Sequence, residues 1–212
     1  MADLNPERAR IFRITHVDNL PWVLDHGLCC RNSDGHDPNY VNIGNLSLID
    51  KRAHKPVPIP PGGTLADYVP FYFTPYSIMM YNIKTGYGGI ARRETREIVI
   101  LVSSIHLLRE LGVPFVFTNQ HAYASDADFY SDPADLRHID WPLLRSRNFK
   151  TDDGDPGKQV RYQAEVLVYR RVSLEALLGI GCLNTAVKQR LDALVQERGK
   201  KIDVKVTPSW YF

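Results

Sequence analysis

The chain has 212 residues, 44% of them hydrophobic and 24% charged, which is ordinary for a soluble globular protein with one sizeable core. The formal net charge is only +2, so no global basic field points to nucleic acid, and such binding would need a local patch. Cys29, Cys30 and Cys182 have no metal-binding spacing and fit reduced thiols. Without a signal-peptide core or an apolar run near the ~18 residues that span a bilayer, the sequence predicts a cytoplasmic protein with no membrane partner.

The hydrophobic pattern predicts strands and helices that mix along the chain without strict alternation. Asp18 is a candidate N-cap for the first helix, and Gly27 is expected just beyond its end. The predicted strands cover residues 11–16, 69–74, 97–103 and 114–118, then a segment beginning at Glu165, then 202–206. The predicted helices cover residues 19–26, 76–83, 105–111 and 140–147, with two more beginning at Ser173 and after Asn184. Crossover helices between successive strands are missing, so we expect an α+β fold with a mostly antiparallel or split sheet.

A long polar stretch separates the first helix from the second strand. Residues 29–55 predict a loop with one helical turn, and the proline-rich run 56–63 predicts a stiff, extended connector. The stretch carries the positive charges of Lys51, Arg52 and Lys55. A loop of this length inside a compact domain is usually functional or disordered.

A lone carboxylate, Glu165, begins an apolar strand whose two faces are both largely apolar, as in a strand buried inside a sheet. An ionised carboxylate loses hydration there unless another group binds it. The basic, polar segment 150–161 leads into this strand, and a catalytic glutamate is often presented in this way. The alternative is a glutamate at a sheet edge that pairs with a neighbouring arginine.

The short catalytic motifs are absent from the sequence. It contains no dinucleotide-binding glycine motif, phosphate-binding P-loop, zinc-protease helix motif or serine-hydrolase elbow. The seven histidines are scattered without metal spacing, so no metal site is expected. His16, on a strand beside apolar residues, would usually be a core histidine with its hydrogen bonds satisfied.

Several segments, taken in order, resemble DarT-type DNA ADP-ribosyltransferase toxins of toxin–antitoxin pairs. The matching segments are residues 14–20, 25–28, 50–52 with the proline-rich run that follows, 67–73, 113–118, 139–141, 163–168, and the C-terminal helix with Asn184, Val187 and Lys188. They span about residues 10–198, and the tail after Lys200 lies beyond the match.

The resemblance implies a single-domain ADP-ribosyltransferase fold that holds NAD in a cleft across a split, mostly antiparallel sheet with flanking helices. It assigns about residues 29–63 to an NAD-binding loop. His16 is expected to hydrogen-bond the adenosine-side ribose or its neighbours, Asp18, Asn19 and Gly27 to line the dinucleotide site, and Tyr72 to pack on the nicotinamide ring.

The resemblance also assigns catalysis to Glu165 and Arg52. Glu165 would bind the 2′-hydroxyl of the nicotinamide ribose and stabilise the oxocarbenium-like carbon left when nicotinamide departs. The implied acceptor is N3 of thymine in single-stranded DNA, and Glu165 is the expected base for its proton. Because a guanidinium stays charged in proteins, we expect Arg52 to clamp the NAD phosphates rather than take a proton.

The resemblance assigns about residues 119–165 to a substrate loop. A single strand needs stacking side chains and a local cationic track, although each candidate could also be an ordinary surface residue. The candidates are His121, Tyr40, Tyr130, Arg92, Arg93, Lys150, Lys158 and Arg161, with the last three as the core of the track. As partner, the resemblance implies a macrodomain antitoxin that removes ADP-ribose or binds the toxin.

Three alternatives stay open at this stage. The same NAD chemistry could act on guanine, RNA or a protein side chain. The chain could be a non-catalytic nucleic-acid-binding module built on a decayed transferase, although His16, Arg52, Tyr72 and Glu165 together argue against decay. A purely structural α+β protein would leave the glutamate of a buried strand unexplained.

Overall fold

The computed structural model describes residues 3–212, and ten strands and seven α-helices lie within them. The strands are β1 (Arg10–His16), β2 (Leu28–Cys29), β3 (Tyr68–Tyr72), β4 (Ile98–Ser104), β5 (Phe115–Thr118), β6 (Phe129–Tyr130), β7 (Glu165–Tyr169), β8 (Arg171–Val172), β9 (Gly179–Cys182) and β10 (Val204–Val206). The helices are α1 (Leu20–His26), α2 (Leu46–Ala53), α3 (Ile78–Thr85), α4 (Ile105–Glu110), α5 (Trp141–Ser146), α6 (Lys158–Arg161) and α7 (Thr185–Glu197).

Eight of the strands form one sheet in the order β10-β9-β4-β1-β3-β7-β5-β6. Its neighbours are antiparallel except β10 and β9. The sheet is weakest at its middle, where β1 and β3 pair only at Phe12 and Tyr72, whereas β1 pairs with β4 over seven residues. The sheet is therefore split into two halves at this point, and the predicted α+β fold with a split, mostly antiparallel sheet is confirmed.

The core lies along the central strands. Every residue of β4 is buried, as its unbroken apolar run predicts, and four of the five residues of β7 are buried. On the helical side, Leu191 and Val195 of α7 supply the buried part of the stripe that the sequence predicts, and Asn184 caps this helix as expected. Glu165, the first residue of β7, is therefore held inside the sheet, between β3 and β5.

The first helix begins differently from the prediction. A three-residue 3-10 turn, Val17–Asn19, precedes α1, and the imidazole Nδ1 of His16 accepts the backbone N–H of Asp18 at 3.2 Å. The prediction of Asp18 as N-cap is thus wrong: Asn19 precedes α1 without a side-chain cap, His16 caps only the 3-10 turn, and the Asp18 carboxylate reaches Arg190 at 3.3 Å. The predicted end is right: Gly27 follows α1 with φ of +79°.

A small two-stranded sheet, which the sequence pattern does not reveal, fixes the end of α1. In it Leu28 pairs with Val172, so the chain leaving α1 runs against β8. A Cβ on Gly27 would lie 2.4 Å from the carbonyl oxygen of Val172. The positive φ and this close approach together require glycine at position 27.

The polar stretch after β2 contains more helix than predicted. It forms α2, which is two turns long instead of one, and the Asn45 side chain caps it by accepting the Leu48 N–H at 3.0 Å. No residue of α2 is fully buried, so its pattern resembles that of a loop. Arg52 lies in the last turn of this helix.

Candidate active site

Glu165 is buried, with 1% of its surface exposed, at the beginning of β7. Its backbone is fixed on both sides, since it pairs with Tyr72 of β3 and its N–H donates to Thr118 Oγ1 of β5 at 3.3 Å. Its Oε1 accepts the backbone N–H of Ala122 at 2.9 Å. The carboxylate is thus positioned by groups on both neighbouring strands and by the loop after β5.

Arg52 clamps this carboxylate in a bidentate ion pair. Its Nη1 donates to Oε1 of Glu165 at 2.8 Å and its Nη2 donates to Oε2 at 2.7 Å. Burial by itself would raise the pKa of Glu165, but the Arg52 charge and the hydrogen bonds outweigh burial and lower the pKa below its usual range. Burial likewise opposes the charge of Arg52, yet Glu165 raises the pKa of Arg52 overall. Both groups are therefore ionised at neutral pH.

Tyr72 and His121 flank the ion pair. Burial, followed by the negative charge of Glu165, raises the pKa of Tyr72 to about 12, so its phenol stays neutral. Burial lowers the pKa of His121, so this imidazole is neutral too. Its Nδ1 accepts the N–H of Tyr123 at 3.2 Å, which leaves the ring hydrogen on Nε2, 3.9 Å from Oε1 of Glu165. The ion pair is therefore flanked by two neutral side chains, and the Tyr72 hydroxyl itself donates to Met79 Sδ at 3.8 Å.

A cavity of about 490 Å³, within the usual size range of ligand sites, opens beside this carboxylate. It lies between β1, α1, the loop of residues 29–45, α2 and β3. Seven residues that the sequence nominated line it, namely Asn19, Gly27, Tyr40, Arg52, Tyr72, His121 and Glu165. The fold thus brings residues from six separate segments to one concave site.

Asn19 holds the wall of this cavity in place. Its Oδ1 accepts the N–H of Val41 at 2.8 Å, while its Nδ2 donates to the Val41 carbonyl and to Thr15 Oγ1, both at 3.0 Å. Both amide N–H groups and the amide oxygen of this buried side chain, 1% exposed, are thus engaged, two of the three bonds with Val41 of the loop. Asn19 is accordingly a loop anchor beside the cavity.

Arg13 is a cavity residue that sequence reasoning missed. Its Nη1 donates to the Pro70 carbonyl at 2.9 Å and its Nη2 to the Tyr40 hydroxyl at 3.2 Å. Within residues 3–212 it forms no ion pair, and its buried Nε has no hydrogen-bond partner. Arg31, also at the cavity, is paired with Asp50 at 2.7 Å. Arg13 therefore supplies unneutralised positive charge. The signal available in the sequence was a cation on a strand whose other residues are mostly apolar.

Other predicted residues lie away from the cavity lining. His16 is 5% exposed and caps the 3-10 turn, and Asp18 is exposed beside Arg190. Arg93 is half-buried, and Lys150 is exposed in the loop before α6. The roles assigned to these four residues stay predictions.

The predicted cationic track is largely neutralised inside its own loop. Arg161 forms a bidentate pair with Asp155, at 2.9 and 2.6 Å, and its Nε lies 3.3 Å from Asp140. Lys158, whose side chain is 12% exposed, pairs with Asp152 at 3.4 Å. These contacts count against Lys158 and Arg161 as a free strip for phosphates, because their charge is already balanced.

In the described part of the chain, residues 3–212, no three His, Cys, Asp or Glu side chains are grouped so as to hold a metal ion. None of its helices is both long and apolar enough to cross a membrane.

The split sheet and a buried glutamate beside a dinucleotide-sized cavity agree with the ADP-ribosyltransferase class that the sequence resemblance implies. The family model described as "DarT: ssDNA thymidine ADP-ribosyltransferase" matches residues 12–212. A DNA ADP-ribosyl transferase of Escherichia coli O127:H6 is 48% identical over 211 residues, which are 100% of this chain and 97% of that protein. The chain therefore belongs to the DarT family of single-stranded DNA thymidine ADP-ribosyltransferases.

Two solved structures are similar over nearly all of the chain. Thermus sp. 2.9 DarT in complex with ADP-ribosylated single-stranded DNA superposes with a TM-score of 0.91 at 30% identity and covers 100% of both chains. The complex of Thermus sp. 2.9 DarT with NAD+ gives a TM-score of 0.85 at 31% identity, over 98% of this chain and 99% of that one.

Proposed function

We propose that the protein transfers ADP-ribose from NAD to the N3 atom of thymine in single-stranded DNA. The observation that carries this proposal is the buried, ionised Glu165, held by Arg52 at the wall of the cavity. Membership of the DarT family supports the choice of donor and acceptor. NAD is a co-substrate here, consumed in each turnover.

The cavity lining fits the parts of NAD. Tyr72, neutral and at the Glu165 end of the cavity, offers an apolar ring to nicotinamide, as the family resemblance implies. Arg13 offers unneutralised charge to the pyrophosphate, whereas Arg52 is already engaged by Glu165. We therefore assign phosphate binding first to Arg13, and we assign to Arg52 the orientation of the catalytic carboxylate.

Glu165 acts on the sugar carbon where charge develops. As the bond from C1′ to the nicotinamide nitrogen breaks, the ribose becomes oxocarbenium-like, and a carboxylate already ionised and fixed can stabilise it without reorganisation. N3 of thymine then bonds to C1′, and the N3 proton must leave. Since Nδ1 of His121 already accepts a hydrogen bond, Glu165 is the acceptor we assign for this proton, which then passes to solvent.

The test is incubation with NAD and matched oligonucleotides, followed by mass analysis of the strands. We expect one added ADP-ribosyl group on single strands that contain thymine, and little on duplexes, RNA or thymine-free strands. Glu165→Gln should reduce the rate by about 10²–10³-fold, because it removes the charge that stabilises the transition state. Glu197→Gln, at an exposed glutamate of α7, is the control for the same chemical change. Equal modification of thymine-free strands, or full activity in Glu165→Gln, would reject the proposal.

A role as a toxin follows from the same chemistry, because a modified thymine can no longer pair through N3. We expect the wild-type gene to arrest growth and the Glu165→Gln gene to be tolerated. The family resemblance also leads us to propose a macrodomain antitoxin as partner. Co-expression of a macrodomain hydrolase that removes ADP-ribose from DNA should then restore growth.

A further inference from the structure

A second concave surface lies at the C-terminal end of α2. We call it the α2 groove, and it is lined by Lys51, His54, Lys55, Tyr123 and Ser125, none of which lines the cavity. Lys51 belongs to the last turn of α2, His54 is its C-cap residue, and Lys55 directly follows. Leu48, Ile49 and Arg52 line the cavity instead.

The α2 groove is built from the two segments that also hold the Glu165 carboxylate. Its two walls are the end of α2 and the segment after β5, which are the same two segments that hold Glu165 through Arg52 and through Ala122. Tyr123 directly follows Ala122 in the chain. Because NAD would fill the cavity on one side of this carboxylate, a second substrate can approach from the groove.

The groove carries the positive charges of Lys51 and Lys55, which are not balanced by carboxylates as those of the predicted cationic track are. Within residues 3–212, Lys51, His54 and Lys55 form no ion pair with a carboxylate. Lys55 Nζ contacts the Ala124 carbonyl and lies 5.8 Å from the ring centroid of Tyr123, so it also fixes the groove wall. Lys51 and His54 are exposed and free to meet a ligand.

The groove also presents an aromatic surface. Tyr123 is 38% exposed, and of the exposed tyrosines Tyr81, Tyr87 and Tyr123 only Tyr123 lines the groove. An exposed lysine beside an exposed ring provides the two features that single-stranded nucleic acids need, because phosphates meet the charge and bases stack on the ring.

We propose that the α2 groove binds the single strand next to the acceptor thymine, with Lys51 and His54 on a backbone phosphate and a neighbouring base stacked on Tyr123. This inference rests on the proposed function for the identity of the acceptor. The main phosphate contact is then the C-terminal end of α2, and not the loop before Glu165 that the sequence predicted.

The experiment measures binding of a fluorescent thymine-containing single strand by anisotropy at several salt concentrations, without NAD, so that it does not depend on turnover. For Lys51→Glu, we expect the slope of log affinity against log salt to shrink by about 0.7, the contribution of one phosphate on a single strand. Lys205→Glu, in β10 at the opposite end of the sheet, makes the same change in net charge and should leave the slope unchanged.

A second pair of variants tests the stacking contact. Tyr123→Ala should weaken binding about tenfold, whereas Tyr123→Phe, which keeps the ring, should bind like the wild type. Equal salt-dependence slopes for Lys51→Glu and Lys205→Glu, or equal affinities for Tyr123→Ala and Tyr123→Phe, would overturn the proposal that the groove binds the strand. If strands bind as expected but no thymine is modified, the proposed function fails while the groove stands.

Discussion

Removal of the Arg52 side chain should destabilise the fold, because the buried Glu165 carboxylate then lacks its ion-pair partner. Arg52→Ala deletes two charge-assisted hydrogen bonds of 2.7 and 2.8 Å to Glu165, whose side chain is only 2% exposed. Breaking a buried ion pair on one side leaves an uncompensated charge and typically costs about 3–5 kcal/mol. We expect the free energy of unfolding at pH 7 to fall by that amount.

The loss of stability in Arg52→Ala should become smaller as the pH falls. In the wild type the pKa of Glu165 is lowered on folding, so its stabilisation is present above the unfolded pKa of about 4.3 and is lost as pH falls through the folded value. In Arg52→Ala, burial dominates and raises the pKa of Glu165, so the variant is penalised most where the carboxylate must be ionised. The two stabilities should therefore converge as the pH falls from 7 to 4.

Urea unfolding of both proteins between pH 4 and 7 measures this difference. Arg31→Ala is the matched control, since Arg31 and Asp50 form an equally short pair of 2.7 Å that is 51% and 66% exposed. That pair should contribute only about 0–1 kcal/mol. A loss for Arg52→Ala as small as for Arg31→Ala, or one that stays constant with pH, would refute the claim that burial controls the carboxylate.

Two more predictions concern the cavity wall. Asn19→Ala should raise the KM for NAD and lower the free energy of unfolding by about 1–3 kcal/mol, because it leaves the backbone groups of Val41 unpaired, and thermal melts with NAD titrations measure both effects. Asn19→Asp should lose at least as much stability, because it sets a buried carboxylate oxygen against the Val41 carbonyl, and a variant that melts and binds NAD like the wild type would contradict the anchor. Gly27→Ala should lower the free energy of unfolding by at least about 1–3 kcal/mol, because alanine is strained at this φ and its Cβ would clash with the Val172 carbonyl. A melting temperature unchanged from the wild type would contradict this account.

The sequence predicts the sheet well because burial leaves a simple pattern. Unbroken apolar runs mark β4 and β7. Because a carboxylate at the beginning of such a run requires a partner, the sequence pointed to Glu165 and to a neighbouring arginine. Glu165 does pair with an arginine, but β7 lies between β3 and β5 and not at a sheet edge, and the catalytic role of Glu165 stays a prediction. The two-turn helix α2 escaped prediction because it buries no residue completely and its composition resembles that of a loop.

Pairing of charges is what the sequence could not provide. Asp140 lies 21 positions before Arg161, and nothing in the local pattern indicates that the two meet at 3.3 Å. Tyr40, nominated for stacking on DNA, instead lines the cavity and accepts a hydrogen bond from Arg13, 27 positions away. Residue type predicts which side chains can bind phosphate, but only the tertiary fold decides which of them remain unpaired.

In the proposed reaction, α2 contacts the sites of both substrates of Glu165. Residues of the helix line the cavity proposed for NAD, Lys51 lines the α2 groove proposed for the single strand, and Arg52 reaches Glu165. A reactive oxocarbenium-like carbon must be kept from water, and a carboxylate that is only 1% exposed meets that need. On this proposal, the burial that makes Glu165 costly without Arg52 is the same burial that directs the sugar to the DNA base instead of to solvent.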